Sequence, residues 1–223
     1  MSLETYIKIC LKNIEMGMLK RLYSVYEKFS PGYYRLLKKE LTGCGSVIEF
    51  GCGYDSPIRY FKGFHSVGLD IHAPAIERAR KLKTHNDYIV ADVLKYTSKK
   101  RFDCAVALDV IEHLRKRDGN VLMRNMEKSA RKVIIFTPNG YVPQAPEYVK
   151  ENPFQAHLSG WSVDEFRKRG YKVYGVNGLK CLRKENAKAR FKPRIFWLLL
   201  SEASQWIVVF FPRLAFQLLA VKK

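Results

Sequence analysis

From residue 44 onward, short apolar runs alternate with helical or loop segments. Runs rich in β-branched residues occupy 46–50, 65–71, 87–91, 102–108 and 132–137. Val47-Ile48-Glu49-Phe50, Cys104-Ala105-Val106-Ala107-Leu108 and Val133-Ile134-Ile135-Phe136 are so nearly apolar that strands there must be covered on both faces. Tyr171–Val176 and Leu214–Val221 read as a sixth and a seventh strand. Helical spacing appears in Leu3, Ile7, Leu11, Ile14, Met18, Leu22 and Tyr26, and a second helix is expected between Pro31 and Gly43. Pro74 opens a helix through Leu82, and Ser162-Val163-Asp164-Glu165 is a capping box for one that ends at Gly170. The segment around Pro57–Lys62 has room only for a short helix. Such alternation predicts an α/β fold, with right-handed crossovers and a mostly parallel sheet between helices. Residues 1–43 would pack on the core or cover the site, and 44–223 would form the main domain.

The chemistry lies at the strand ends. In an open parallel sheet, ligands bind beyond the carboxyl ends near the topological switch point. The first strand runs into Gly51-Cys52-Gly53, a turn that lets a ligand approach the backbone. Glu49 precedes it, and a carboxylate there would repel a pyrophosphate. The third glycine of the dinucleotide fingerprint is replaced by Ser56. The ammonium group of S-adenosylmethionine suits Glu49 better than a nicotinamide cofactor would. Asp70 ends the second strand, where an acid can accept both ribose hydroxyls, and Ile71 follows it. Asp92 ends the third strand, placed for an adenine amino group, with Val93 to pack on the ring.

Together these positions resemble the class I methyltransferases, particularly the group called methyltransferase type 11. The matching stretches are Glu49–Gly53, Gly68-Leu69-Asp70, Ala91-Asp92-Val93 and Phe102–Leu114, within a plan followed by residues 44–180. The resemblance implies a Rossmann-like sheet of order 3-2-1-4-5-7-6 with strand 7 antiparallel. It implies cofactor roles for Glu49, Gly51, Gly53, Asp70, Asp92 and Asp109; Cys52, Ile71 and Val93 line the same edge. The sequence departs from the family at Asp55, where many members have a third glycine.

Methyl transfer from a sulfonium is an in-line displacement, so aligning the acceptor supplies much of the rate. A base is needed only where the acceptor must lose a proton. His113, after the fourth strand, and His157, in the segment after the fifth, are the candidate catalytic residues. No metal ligand is assigned, although Asp109, Glu112, His113 and His157 resemble the Glu/Glu/His/His divalent-metal set of small-RNA 3′-terminal ribose methyltransferases. The Val-Ile-Glu-His tetrapeptide also occurs in metal-free members, where it only closes the fourth strand.

Charge widens the choice of acceptor. Forty Lys and Arg against 21 acids give a net charge of +19, which favours anionic partners without choosing among RNA, anionic lipid and acidic metabolites. At about 181–212 a basic stretch leads into Ile195–Leu200 and Trp206–Phe211, an arrangement suited to an interfacial anchor or a lid over an apolar acceptor. Five scattered cysteines without metal-finger spacing, and an N-terminus broken by Glu4, Lys8 and Lys12, point to a cytoplasmic protein, peripheral to membrane if the stretch is an anchor. The expected function is methyl transfer from S-adenosylmethionine to a small or lipid-like acceptor. The alternatives are an RNA methyltransferase and a binding protein without turnover.

Overall fold

A computed structural model describes residues 31–144, 149, 153–184 and 188–223; the helical pattern over 3–27 lies outside them. Seven strands form one sheet of order β3-β2-β1-β4-β5-β7-β6: β1 Ser46–Phe50, β2 His65–Asp70, β3 Asp87–Val90, β4 Phe102–Leu108, β5 Ala130–Pro138, β6 Lys172–Leu179 and β7 Ala215–Lys222. The first five pair in parallel, and β7 runs antiparallel to both β5 and β6. The switch point falls between β1 and β4, whose carboxyl ends carry Gly51 and Asp109.

Period-two alternation divides the core between the two faces. Ile48, Phe50, Ala105, Ala107, Val133 and Ile135 pack on one side under Leu122, Met126, Trp161 and Phe166. Val47, Cys104, Val106, Ile134 and Phe136 face the other side, against Tyr33, Leu36, Leu37 and Leu41. The described helices are α1 Tyr33–Leu41, α2 Ala73–Leu82, α3 Lys116–Ser129, α4 Val163–Lys168, α5 Arg194–Ala203 and α6 Gln205–Val208.

The local signals act as their chemistry requires. The Ser162 hydroxyl accepts from Glu165 N, and the Glu165 carboxylate accepts from Ser162 N at 2.9 Å, so α4 starts on a complete capping box. The short segment after the glycine turn is a single 3-10 turn, Pro57–Tyr60, capped by Ser56. Residues 181–184 and 188–212 do not stand apart from the sheet. Arg183 bridges Ala189, and α5 and α6 then fold back onto β6.

Candidate active site

Gly51 and Gly53 both have positive φ, 73° and 55°, which a side chain would oppose. The turn folds β1 back over β2, with Gly51 N and Cys52 N donating to Leu69 O at 2.7 and 2.9 Å. Gly53 N donates to Asp70 Oδ2 at 2.9 Å, and His72 N to Asp70 Oδ1 at 2.8 Å. Asp70 therefore fixes two turns and keeps lone pairs on both oxygens. A methyl group placed on Gly53 would meet nothing within 4 Å among the described residues, so the space above the turn is open.

Glu49 does not reach that space. It is 2% exposed, and its Oε2 accepts from the Ser56 hydroxyl while lying 2.8 Å from Nε2 of His85, a buried imidazole. The absence of a side chain at Gly68 leaves room for His85 and Cys52. Glu49 thus lies beneath the turn, held by Ser56 and His85. His85, which makes the difference, carries no local sequence signal. Cys52 is also buried; burial first, then the charges of Glu49 and Asp70, pushes its thiol well above the ordinary range, so it serves as a neutral wall.

Further along the edge, Ile71 and Val90 are exposed and Val93 is buried. Asp92 Oδ1 accepts from Leu94 N at 2.9 Å, and the Asn125 amide donates to the carbonyls of Val93 and Leu94 at 3.0 and 2.9 Å. Asp109 is exposed in a left-handed conformation, φ 55°, a strained backbone of the kind that gathers at functional sites. Gln217 Nε2 lies 3.5 Å from its Oδ1.

On the acceptor side, the turn Ile111–His113 and the segment reaching Trp161 converge. Leu158 N and Ser159 N both donate to Glu112 O, at 2.7 and 3.0 Å. His113 Nδ1 lies 3.2 Å from Ala156 O, and His157 Nδ1 lies 2.5 Å from Val142 O. Carbonyls only accept, so each Nδ1 carries the proton and each neutral ring keeps its lone pair on Nε2. The ring centroids are 4.7 Å apart. One ligand atom from each of Glu112, His113 and His157 lies within 4.8 Å of the others, so three of the four residues that resemble a metal set meet in one place.

Glu112 is 2% exposed; Thr137 donates to its Oε2 at 3.0 Å, and its carboxyl shares a hydrogen bond with that of Asp109. Burial first and the Asp109 carboxylate second hold its carboxyl well above the usual range. Burial, followed by the neighbouring His157, depresses His113 to about 4, and burial lowers His157 too. Among the described residues, this is a cluster of electron-pair donors. It can take a proton from an acceptor or hold a divalent cation.

The family profile described as a methyltransferase domain matches residues 48–133, which span the glycine turn, Asp70, Asp92 and the Glu112–His113 turn. Residues 48–133 thus carry an S-adenosylmethionine-dependent methyltransferase domain of the class I kind. An uncharacterized protein of Methanocaldococcus jannaschii is 24% identical to this chain over 178 residues, 78% of this chain and 71% of the other. A S-adenosylmethionine-dependent methyltransferase from Archaeoglobus fulgidus shares the fold at TM-score 0.51 and 17% identity, covering 89% of this chain and 98% of that one. A small RNA methyltransferase does so at TM-score 0.52 and 18% identity, over 84% of this chain and 24% of its own. The expected sheet order is the order found.

Proposed function

We propose that this methyltransferase transfers the methyl group of S-adenosylmethionine to a hydroxyl of a small or lipid-like acceptor held at Glu112, His113 and His157. The clustering of two neutral imidazoles with a buried carboxylate at the end of β4 carries this reading. The oxygen–carbon bond forms as the carbon–sulfur bond breaks, and S-adenosylhomocysteine leaves. The acceptor's proton passes to His157, the less buried imidazole, with His113 beside it. Exposed Tyr141, Phe154 and Leu158 offer an apolar rim close to His157.

On the cofactor side, Asp70 would accept the ribose hydroxyls and Asp92 the adenine amino group, with Gly51 and Gly53 beneath the methionine moiety and Asp109 near the sulfonium. Cys52, Ile71 and Val93 would supply apolar walls, and Glu49 would hold the turn. Asp70→Asn removes a charge-assisted acceptor, so S-adenosylhomocysteine should bind about 10- to 100-fold more weakly by calorimetry. Unchanged affinity would take Asp70 out of the contact.

A second reading is metal-assisted methylation of RNA. It is favoured by the meeting of the Glu112 and Asp109 carboxyls beside two imidazoles and by the low basicity of His113, which suits a cation ligand better than a general base. The acids and imidazoles would hold a Mg²⁺- or Mn²⁺-like ion that polarises a ribose hydroxyl when bound. Incubation with radiolabelled S-adenosylmethionine and either the lipid or the small-RNA fraction of a cell extract, with and without EDTA, separates the readings. Label in the lipid fraction that withstands EDTA supports the first; EDTA-sensitive label in RNA replaces it with the second.

A further inference from the structure

Helices α5 and α6 bury Leu198 and Val208 but turn a wider apolar stripe outward. Positions 196, 199, 200, 203, 206, 207, 210, 211 and 214 recur at helical spacing, and all are apolar and exposed. Phe210 and Phe211 are 76% and 62% exposed. Polar residues share the inner face: Ser201, Ser204 and Gln205 are at most 5% exposed.

That inner face is fastened to β6. The Ser204 hydroxyl accepts from Leu179 N at 2.9 Å; Gln205 Nε2 donates to Gly175 O at 3.0 Å, and its Oε1 accepts from Gly178 N at 3.3 Å. Buried Arg183 donates from Nε to the Ser201 hydroxyl at 2.9 Å and pairs with Glu202 at 3.2 Å. A methyl group on Gly175 or Gly178 would fall 2.2 or 2.1 Å from the carbonyls of Val208 and Ser201, so helix and strand backbones nearly touch. Rolling the apolar stripe inward would strand these polar groups without partners, each at the cost of a buried unsatisfied donor or acceptor. The stripe must face outward, and a monomer seldom leaves such a patch uncovered.

Its surroundings identify what covers it. Residues 186–214 contain one acid, Glu202, which is paired with Arg183, against Lys188, Arg190, Lys192, Arg194 and Arg213, the last of them paired with Asp164. Four of those cations lead directly into α5 and are exposed. Cations beside Trp and Phe on an amphipathic helix match an anionic bilayer interface. Among the described residues no helix is long and apolar enough to cross a membrane, which fits a helix lying in the plane. The far end of the stripe also adjoins the acceptor edge. Asn139, after β5, donates to the carbonyls of Pro212, Arg213 and Ala215 at 3.2, 3.1 and 2.8 Å.

We propose that the outer face of α5–α6, with the cations before it, docks the enzyme on anionic phospholipid, with Phe210 and Phe211 entering the headgroup boundary. This goes beyond the acceptor chemistry and does not depend on it. The whole protein should float with phosphatidylcholine vesicles containing phosphatidylglycerol and not with phosphatidylcholine alone, and high salt should weaken the binding. The double variant Phe210→Ser, Phe211→Ser alters two exposed side chains and should bind at least about tenfold more weakly while melting like the parent. Trp206 emission should shift to the blue on binding, a change lost in Trp206→Phe. Failure to bind anionic vesicles overturns docking, as does undiminished binding by the double variant. A concentration-dependent dimer abolished by the same substitutions would assign the face to a second copy instead. Turnover of detergent-dispersed lipid extract, measured in parallel, keeps the two ideas separate: turnover without vesicle binding refutes docking alone, and vesicle binding without lipid turnover refutes the acceptor alone.

Discussion

Replacing Glu112 by glutamine is expected to lower methyl transfer by about 100-fold or more while making the protein more stable. The carboxyl is buried and meets the Asp109 carboxyl, with which it shares a hydrogen bond. Burial and Asp109 raise its folded pKa well above its unfolded value. For a carboxyl raised in this direction, the folded state holds the proton more tightly than the unfolded chain. Stability is therefore highest below the unfolded pKa of about 4.3 and declines as pH climbs towards the folded one. Glutamine keeps the shape and the acceptor for Thr137, but removes the titration. The variant's gain should be small at pH 5 and larger at pH 8, with each kcal/mol worth about 2–4 °C in a chain of this length. Melting curves at the two pH values, beside turnover at pH 8, test both halves. Turnover near the parent level would remove Glu112 from the acceptor site. A variant less stable at pH 8 would mean that the native carboxylate is stabilised as an anion, as a bound cation would do.

The sheet was legible because its strands are buried on both faces. The runs at 46–50 and 102–108 coincide with β1 and β4, where apolar content alone marks the boundaries. Edges were less readable: β6 extends to Leu179 through Asn177 and Gly178, both at positive φ, where the ladder to β7 shifts register. The apolar content of α5–α6 was plain, but not the side that faces out. Helical periodicity presumes that the apolar stripe turns inward, and here Ser201, Ser204 and Gln205 reverse it through bonds to a strand distant in sequence.

The site divides in the same way. Asp70, Asp92 and Asp109 were visible because strand ends set their positions. The inward turn of Glu49 depends on His85 and on the bare backbone of Gly68, a three-body packing fact with no pattern in one dimension. His113 and His157 were legible as candidates, yet their meeting depends on the chain between Ala156 and Trp161 returning to Glu112.

Trp161 is what anchors that return, and Trp161→Ala should cost about 3–5 kcal/mol, lowering the melting temperature by about 6–20 °C. The ring is 1% exposed, 5.7 Å from the Phe166 ring centroid, and occupies the space beside Gly119. Nε1 donates to the Ser159 hydroxyl at 2.9 Å, and the Trp161 carbonyl accepts from Gly140 N at 2.8 Å, so one residue ties the segment to the core and to the end of β5. Truncation leaves a large cavity and frees the amides of Leu158 and Ser159 from the Glu112 carbonyl. The cofactor turn is held by other bonds, among Gly51, Cys52, Gly53, Leu69 and Asp70. Well below its melting temperature the variant should therefore bind S-adenosylhomocysteine within about threefold of the parent, a loss under 1 kcal/mol, and still lose transfer. Trp161→Phe keeps most of the ring volume and removes only the indole donor, so it should fall between the two in both stability and turnover. Full turnover by a folded Trp161→Ala protein would mean that His157 reaches the acceptor without this anchor. A parallel loss of S-adenosylhomocysteine binding would mean that the two halves of the site are not independent.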